Sequence, residues 1–414
     1  MSEAFRPRLT RDPTAPMPPG QPAPARASRF RGWHVVAGAF LVTMVGFGAI
    51  YSYAAFAEEI GATFGAGRAS VAIIFALSGG TCFFVSALTG PLADRIGTRV
   101  LATMGMLLVG LGFLAAAAAS SLIELYVGYG VLIGLGCGFA YVPALAAVQR
   151  SFDAHRGLAS GIAVSGIGVG TALVPPAAET FTAFGDWRAA FVACGVLTAL
   201  IGVAGALLLA PAPVQPGPEQ PTEPRPTPPA TVLTRDFALA YAGTLLVSMP
   251  AVLPHATLVG TARDMGFDRH AAVGLLGLIG LGTIIGRFLL AAVADAVGRR
   301  LVFLLCCGGM AGSMLLWAFA GNEPALQAFA LGFGALQGGF VALLPAFVAD
   351  SFGARTLGGV LGVLYTSRGV ALLAAPPLLA FAIAALADHV LPVVAIAVLG
   401  AAGTALLARV GRGA

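Results

Sequence analysis

Two arginines, Arg287 and Arg368, lie well inside long apolar segments whose interiors hold no Asp or Glu. A guanidinium stays charged at physiological pH and is costly in hydrocarbon, so each must face a polar cavity and find an anion. No carboxylate of the chain shares those interiors, so the anion these positions call for is the carboxylate of a small organic molecule. Spacing gives the depth. Arg287 precedes Asp295 by eight residues, roughly 12 Å along a helix at ~1.5 Å per residue. Arg368 follows Arg355 by thirteen, roughly 19 Å by the same rise. Both distances reach toward the middle of a ~30 Å hydrocarbon layer. The competing readings are structural: Arg287 snorkels or pairs with Glu179 or Glu58, and backbone carbonyls hold Arg368 in its Ser/Gly-rich surroundings.

His255 is the one group at depth suited to carry a proton at neutral pH. It follows Pro250 and Pro254, which interrupt a helix and free backbone groups around a cavity. A histidine hydrogen-bonded to a neighbouring helix is the alternative. Tyr51, Tyr141 and Tyr365 offer hydroxyl donors and rings to the same cavity, or serve as packing. No metal-ligand cluster, no Ser/His/Asp set and no phosphate-binding loop occurs, so neither an enzyme, a metal, a cofactor nor an ATP-driven pump is expected.

Long apolar elements must position these groups. Apolar residues make up 58% of the 414 and charged residues 10%, too few charges to cover a soluble protein of this size. Twelve stretches approach the ~20 residues needed to cross a bilayer: 33–56, 69–89, 100–119, 123–147, 157–181, 187–210, 237–260, 271–291, 301–320, 325–348, 357–382 and 388–408. The 56 glycines suit close helix packing. All 23 basic residues are Arg, and outside the deep pair only Arg68, Arg188, Arg263 and Arg269 fall on the side opposite the N-terminal tail. The positive-inside rule then places both termini in the cytoplasm, and the same clustering accounts for most of the net charge of +5 without a nucleic-acid partner. Cys82, Cys137, Cys194, Cys306 and Cys307 all lie within spans and read as small packing residues.

A Pro-rich polar stretch, 211–235, divides the spans six and six. The expected organisation is a disordered cytoplasmic tail (1–32), a first bundle (33–210), a cytoplasmic linker (211–235) and a second bundle (236–410). The halves repeat at an offset near 201: the turn at Gly97 recurs at Gly298, and Pro175-Pro176 recurs as Pro376-Pro377. Pro143 and Phe152 match Pro345 and Phe352. Duplicated halves around a central cavity let one bundle rock against the other.

Gly90-Pro91-Leu92-Ala93-Asp94-Arg95-Ile96-Gly97-Thr98-Arg99 follows span two, and its copy with Asp295, Gly298 and Arg299 follows span eight, with Ala291 in place of the leading Gly. This duplicated G-x-L-A-D-x-x-G-x-R resembles the signature of the major facilitator superfamily. Gly90, Asp94, Arg95, Gly97, Arg99, Asp295, Gly298 and Arg299 read as a conformational latch rather than ligands. Further motifs are Arg31-Gly32-Trp33-His34, Gly134-x-Gly136-x-Gly138-Phe139-x-Tyr141-x-Pro143, Pro254-His255 and Tyr365-Thr366-Ser367-Arg368-Gly369. Together they look like the monocarboxylate-transporter and oxalate:formate-antiporter branch.

The resemblance implies an all-α integral membrane fold, with 12 transmembrane helices in two pseudo-symmetric six-helix bundles. It implies that Arg287, after Gly286, binds substrate carboxylate. It implies that Arg368 stands where oxalate:formate exchangers have a Lys. Thr283 occupies the place of the Asp that animal-type proton-coupled carriers have one turn before the arginine. The expected function is secondary active transport of mono- or dicarboxylates by alternating access, by anion exchange or with protons. A non-transporting anion receptor and a drug exporter of the same superfamily are the alternatives. The expected setting is a multi-pass monomer in the lipid bilayer of a bacterial-type inner membrane.

Overall fold

The computed structural model describes residues 26–152, 156–181, 185–209, 234–353 and 357–411. The expected tail lies largely outside these residues, and the linker almost wholly so. Within them the protein is helical without strands. The helices are α1 (Arg26–Phe64), α2 (Arg68–Ile96), α3 (Thr98–Ala117), α4, α5 (Arg156–Thr180) and α6 (Trp187–Leu208). After the linker come α7 (Arg235–Asp264), α8 (Arg269–Val297), α9 (Arg299–Ala318), α10 (Glu323–Phe352), α11 (Leu357–Leu386) and α12 (Val390–Leu407). α4 is one rod built of Leu122–Leu125, a π-helical turn at Tyr126–Ile133, and Gly134–Arg150. All 12 are long and apolar enough to span a membrane.

Polar residues set the starts. Asp186, Thr234, Asp268 and Asn322 each accept a backbone N–H in the first turn of α6, α7, α8 and α10, which satisfies donors the helix cannot. Several helices outrun the apolar stretches; α1 continues past residue 56 through Glu58 and Glu59 to Phe64. Apolarity is required only within the hydrocarbon, and helix ends that reach the interface tolerate charge.

Glycine sets the spacing. A Cβ on Gly166 or Gly170 of α5 would strike the carbonyls of Phe40 and Met44 on α1, so these helices touch backbone to backbone. α8 and α10 meet the same way through Gly282, Gly286, Gly334 and Gly338. Between the two bundles, α2 packs on α11 at Gly79 and Gly80, against Leu372 and Leu373. α5 packs on α8 where Gly168 faces Gly280. At an offset of 201 (Gly97 to Gly298) α2 maps to α8 and α5 to α11, so the two inter-bundle pairs are copies of each other.

The turns after α2 and α8 are copies too. Gly97 and Gly298 take φ of 89° and 116°, where a side chain would be strained. Their N–H groups donate to Ala93 and Ala294. Arg99 Nε donates to the Leu209 carbonyl beyond the end of α6 (2.8 Å). Arg300, 201 positions on, donates to the Ala408 and Val410 carbonyls beyond α12 (3.0 and 2.6 Å). Sequence reasoning singled out Arg299, which pairs with Asp295 on the exposed helix end (3.3 Å); Arg300 is the structural counterpart of Arg99. Both clamps stay inside their own bundle. Arg95 is exposed, and the Gly90 and Asp94 side-chain positions lie outside the described residues.

Candidate functional site

Arg287, Arg368, Tyr51, Tyr141 and Tyr365 come from four helices (α8, α11, α1 and α4) and converge. Each arginine is within electrostatic reach of all three tyrosines and of the other arginine. They meet where α1, α2 and α4 face α7, α8, α10 and α11, between the bundles. Arg287 is 3% exposed and Arg368 7%.

Close packing brings Arg287 there. A Cβ on Gly286 would sit on the Ala335 carbonyl of α10, and one on Gly338 would lie 3.0 Å from the Arg287 nitrogen. That face of α8 is filled by backbone, and the next residue round the helix carries the guanidinium. None of its three nitrogens has a hydrogen-bond partner. Glu58 is engaged by Arg263, and Glu179 by Arg269 and His270, so neither supplies the internal pair considered from the sequence. A buried charge without a partner costs several kcal/mol, a cost that an anion placed against it would offset.

Arg368 is held differently. Its guanidinium carbon lies 4.8 Å from the centre of the Phe83 ring and 5.4 Å from that of Phe340. Cation–π contacts contribute about 0.5–2 kcal/mol each, so rings of both bundles fix this charge while leaving its Nε unpartnered. Phe47 and Phe83 continue the wall, edge-on to Tyr141 (5.0 Å) and Tyr365 (5.8 Å). Sequence reasoning missed Phe47, Phe83 and Phe340, because a phenylalanine in an apolar helix carries no signal of its own.

His255 is 1% exposed and stacks on Tyr51 across the bundle interface, centroids 4.4 Å apart at 28°. Phe333 of α10 stands edge-on to it at 6.1 Å. Its Nδ1 has no partner. Thr283 is buried, and its single hydroxyl proton is shared between the Ile279 carbonyl (2.9 Å) and, on a longer branch, Gln337 Oε1 (3.4 Å).

On the side opposite the Gly97 and Gly298 turns, ion pairs cross between the bundles. Arg68 of α2 meets Asp264 of α7, and Arg263 of α7 meets Glu58 of α1 at 3.2 Å. Arg269 of α8 meets Glu59 of α1 and, at 3.7 Å, Glu179 of α5. A cavity of about 530 Å³ lies at this end, lined among others by Tyr53, Arg68, Ala256, Arg263 and His389. Tyr53 and Ala256 are near chain neighbours of Tyr51 and His255. Among the described residues no group of His, Cys, Asp and Glu is arranged to hold a metal.

The sequence profile of the Major Facilitator Superfamily matches residues 38–283. Monocarboxylate transporter 12-B of Danio rerio is 27% identical over 381 residues, covering 84% of this chain and 80% of that protein. Monocarboxylate transporter 11 of Homo sapiens is 28% identical over 360 residues, 84% and 76% of the two chains. Monocarboxylate transporter 13 of Rattus norvegicus is 27% identical over 352 residues, 84% and 81%.

Proposed function

This chain belongs to the Major Facilitator Superfamily, and from that premise we propose that it carries small organic carboxylates by alternating access, with Arg287 as the anchor. It is a multi-pass membrane transporter and not an enzyme. The observation that carries the substrate class is the Arg287 guanidinium, 3% exposed with every nitrogen unpartnered. A ligand that completes it must be anionic, and a carboxylate matches the planar fork of an arginine. The printed names of the relatives, monocarboxylate transporters, support the same class.

Arg368 supplies a second positive charge, and Tyr51, Tyr141 and Tyr365 supply hydroxyls and rings around the ligand. The Asp94 and Asp295 turns, with Arg95, Arg99 and Arg299, act as the latch that tunes switching. Both termini face the cytoplasm, because the Arg-rich loops share their side. Alternating access is supported by the copied α2–α11 and α5–α8 contacts and by ion pairs that tie one end of the bundle interface.

Two driving forces each have an observation in their favour. Two cations with no carboxylate at their depth, among the described residues, favour a dianion or anion exchange. The buried, stacked His255 with its free Nδ1 favours proton symport. Uptake of labelled lactate and oxalate into proteoliposomes, with and without a pH gradient, tests both. Stimulation by an inward proton gradient alone supports symport, and an obligatory internal counter-anion supports exchange. Near-normal uptake by Arg287→Ala would overturn the site.

A further inference from the structure

Gln337 sits in the middle of the α10 face that the site uses. Phe333, Gln337 and Phe340 fall at i, i+4 and i+7, so they share one side of the helix. Phe333 touches the His255 ring and Phe340 lies beneath the Arg368 guanidinium. Between them the Gln337 side chain is 7% exposed and bonded at both ends. Its Nε2 donates to the Ala251 carbonyl of α7 at 2.7 Å, and its Oε1 accepts the longer branch (3.4 Å) of the Thr283 hydroxyl of α8, whose shorter branch goes to the Ile279 carbonyl.

Each partner lies one helical turn from a site residue: Ala251 four positions before His255, Thr283 four before Arg287. Consecutive spans run antiparallel, so one turn onward in α7 and one turn onward in α8 lead in opposite directions. The amide therefore bridges the helices at a depth between the imidazole and the guanidinium. It grips α7 at its weakest turn, bounded by Pro250 and Pro254, where two N–H groups are missing from the ladder. An apolar side chain would fill this place without burying an amide, whose desolvation must be compensated at both ends.

We infer that Gln337 is a positioning residue: it sets the separation of His255 and Arg287 by tying the proline-flanked turn of α7 to α8, and so sets which carboxylates fit. The inference rests on the reading of Arg287 as the carboxylate anchor. Gln337→Met keeps the length of the side chain and removes both hydrogen bonds. Binding of lactate and of oxalate to the full chain in detergent is measured for wild type, Gln337→Met, Arg287→Lys, Arg287→Ala and the Gln337→Met/Arg287→Lys double variant, beside the unliganded thermal midpoint.

The expected result is a rise in Kd of about tenfold for Gln337→Met, on the scale of one lost hydrogen bond, unequal for the two probes. In the Arg287→Lys background the same change has little further effect, the non-additivity of a group acting through another. Wild-type affinity in Gln337→Met, or an equal loss in both backgrounds, would overturn the inference while leaving the anchor intact. Unchanged binding in Arg287→Ala would remove the anchor itself, and the inference with it.

Discussion

Arg287 and Arg368 bring the same charge to the same part of the bundle interface, yet their surroundings divide the work. Arg368 is cushioned by Phe83 and Phe340, whereas Arg287 has no partner. Arg287→Ala is therefore expected to abolish uptake. Arg287→Lys should keep the charge, lose the forked geometry and raise KM by an order of magnitude or so. Arg368→Lys retains a cation over the rings and should keep most uptake; Arg368→Ala should weaken oxalate more than lactate, because the dianion loses its second charge. Equal loss for both probes would count against that division. Thr283→Asp places an acid one turn from Arg287 and should introduce pH dependence into uptake; an unchanged pH profile would argue that this position does not act on the site. The two arginines were legible in the sequence because a charge in an apolar run is costly and calls for a polar partner, internal or bound. Their ring partners and Gln337 were not, since which helix a side chain meets depends on packing that the local sequence does not carry.

α8 reaches α10 without side chains between them, so the placement of Arg287 depends on glycine. Gly286→Ala would drive a methyl into the Ala335 carbonyl, with backbone on both sides unable to turn away. A marked fall in thermal midpoint and loss of uptake are expected although Arg287 is untouched. Gly312 of α9 is the control: a Cβ there meets nothing within 4 Å, and Gly312→Ala should be neutral or stabilise by up to ~1 kcal/mol. Equal behaviour of the two variants would contradict the close contact. Hydropathy located all twelve helices but not their ends, because it senses the hydrocarbon and the helices run on past it. The π-helical turn of α4 gave no sign. Gly128 and Gly130 there pack on α3 and α2, and an inserted residue in a helix leaves the hydropathy unchanged.

The duplication of the bundles could be read from the constant offset, and the paired turns at Gly97 and Gly298 have the repeated geometry. The ion pairs that tie one end of the interface could not, for they join residues 90 to 210 positions apart. They differ in weight. Arg68 and Asp264 are 67% and 51% exposed, and solvent-screened pairs contribute roughly 0–1 kcal/mol. Arg269, Glu59 and Glu179 are 29%, 35% and 12% exposed and less screened. Arg269→Glu should favour the form open at this end, seen as faster labelling of a cysteine placed at Ala256, and Glu59→Arg in the same chain should reverse it. Arg68→Glu should change labelling far less. On the proposed reading this motion serves an anion held at Arg287, and binding can be read without transport. Thermal stabilisation of the purified chain by lactate and oxalate should appear in wild type and vanish in a folded Arg287→Ala. Equal stabilisation of both proteins would contradict an arginine that waits for its counter-ion.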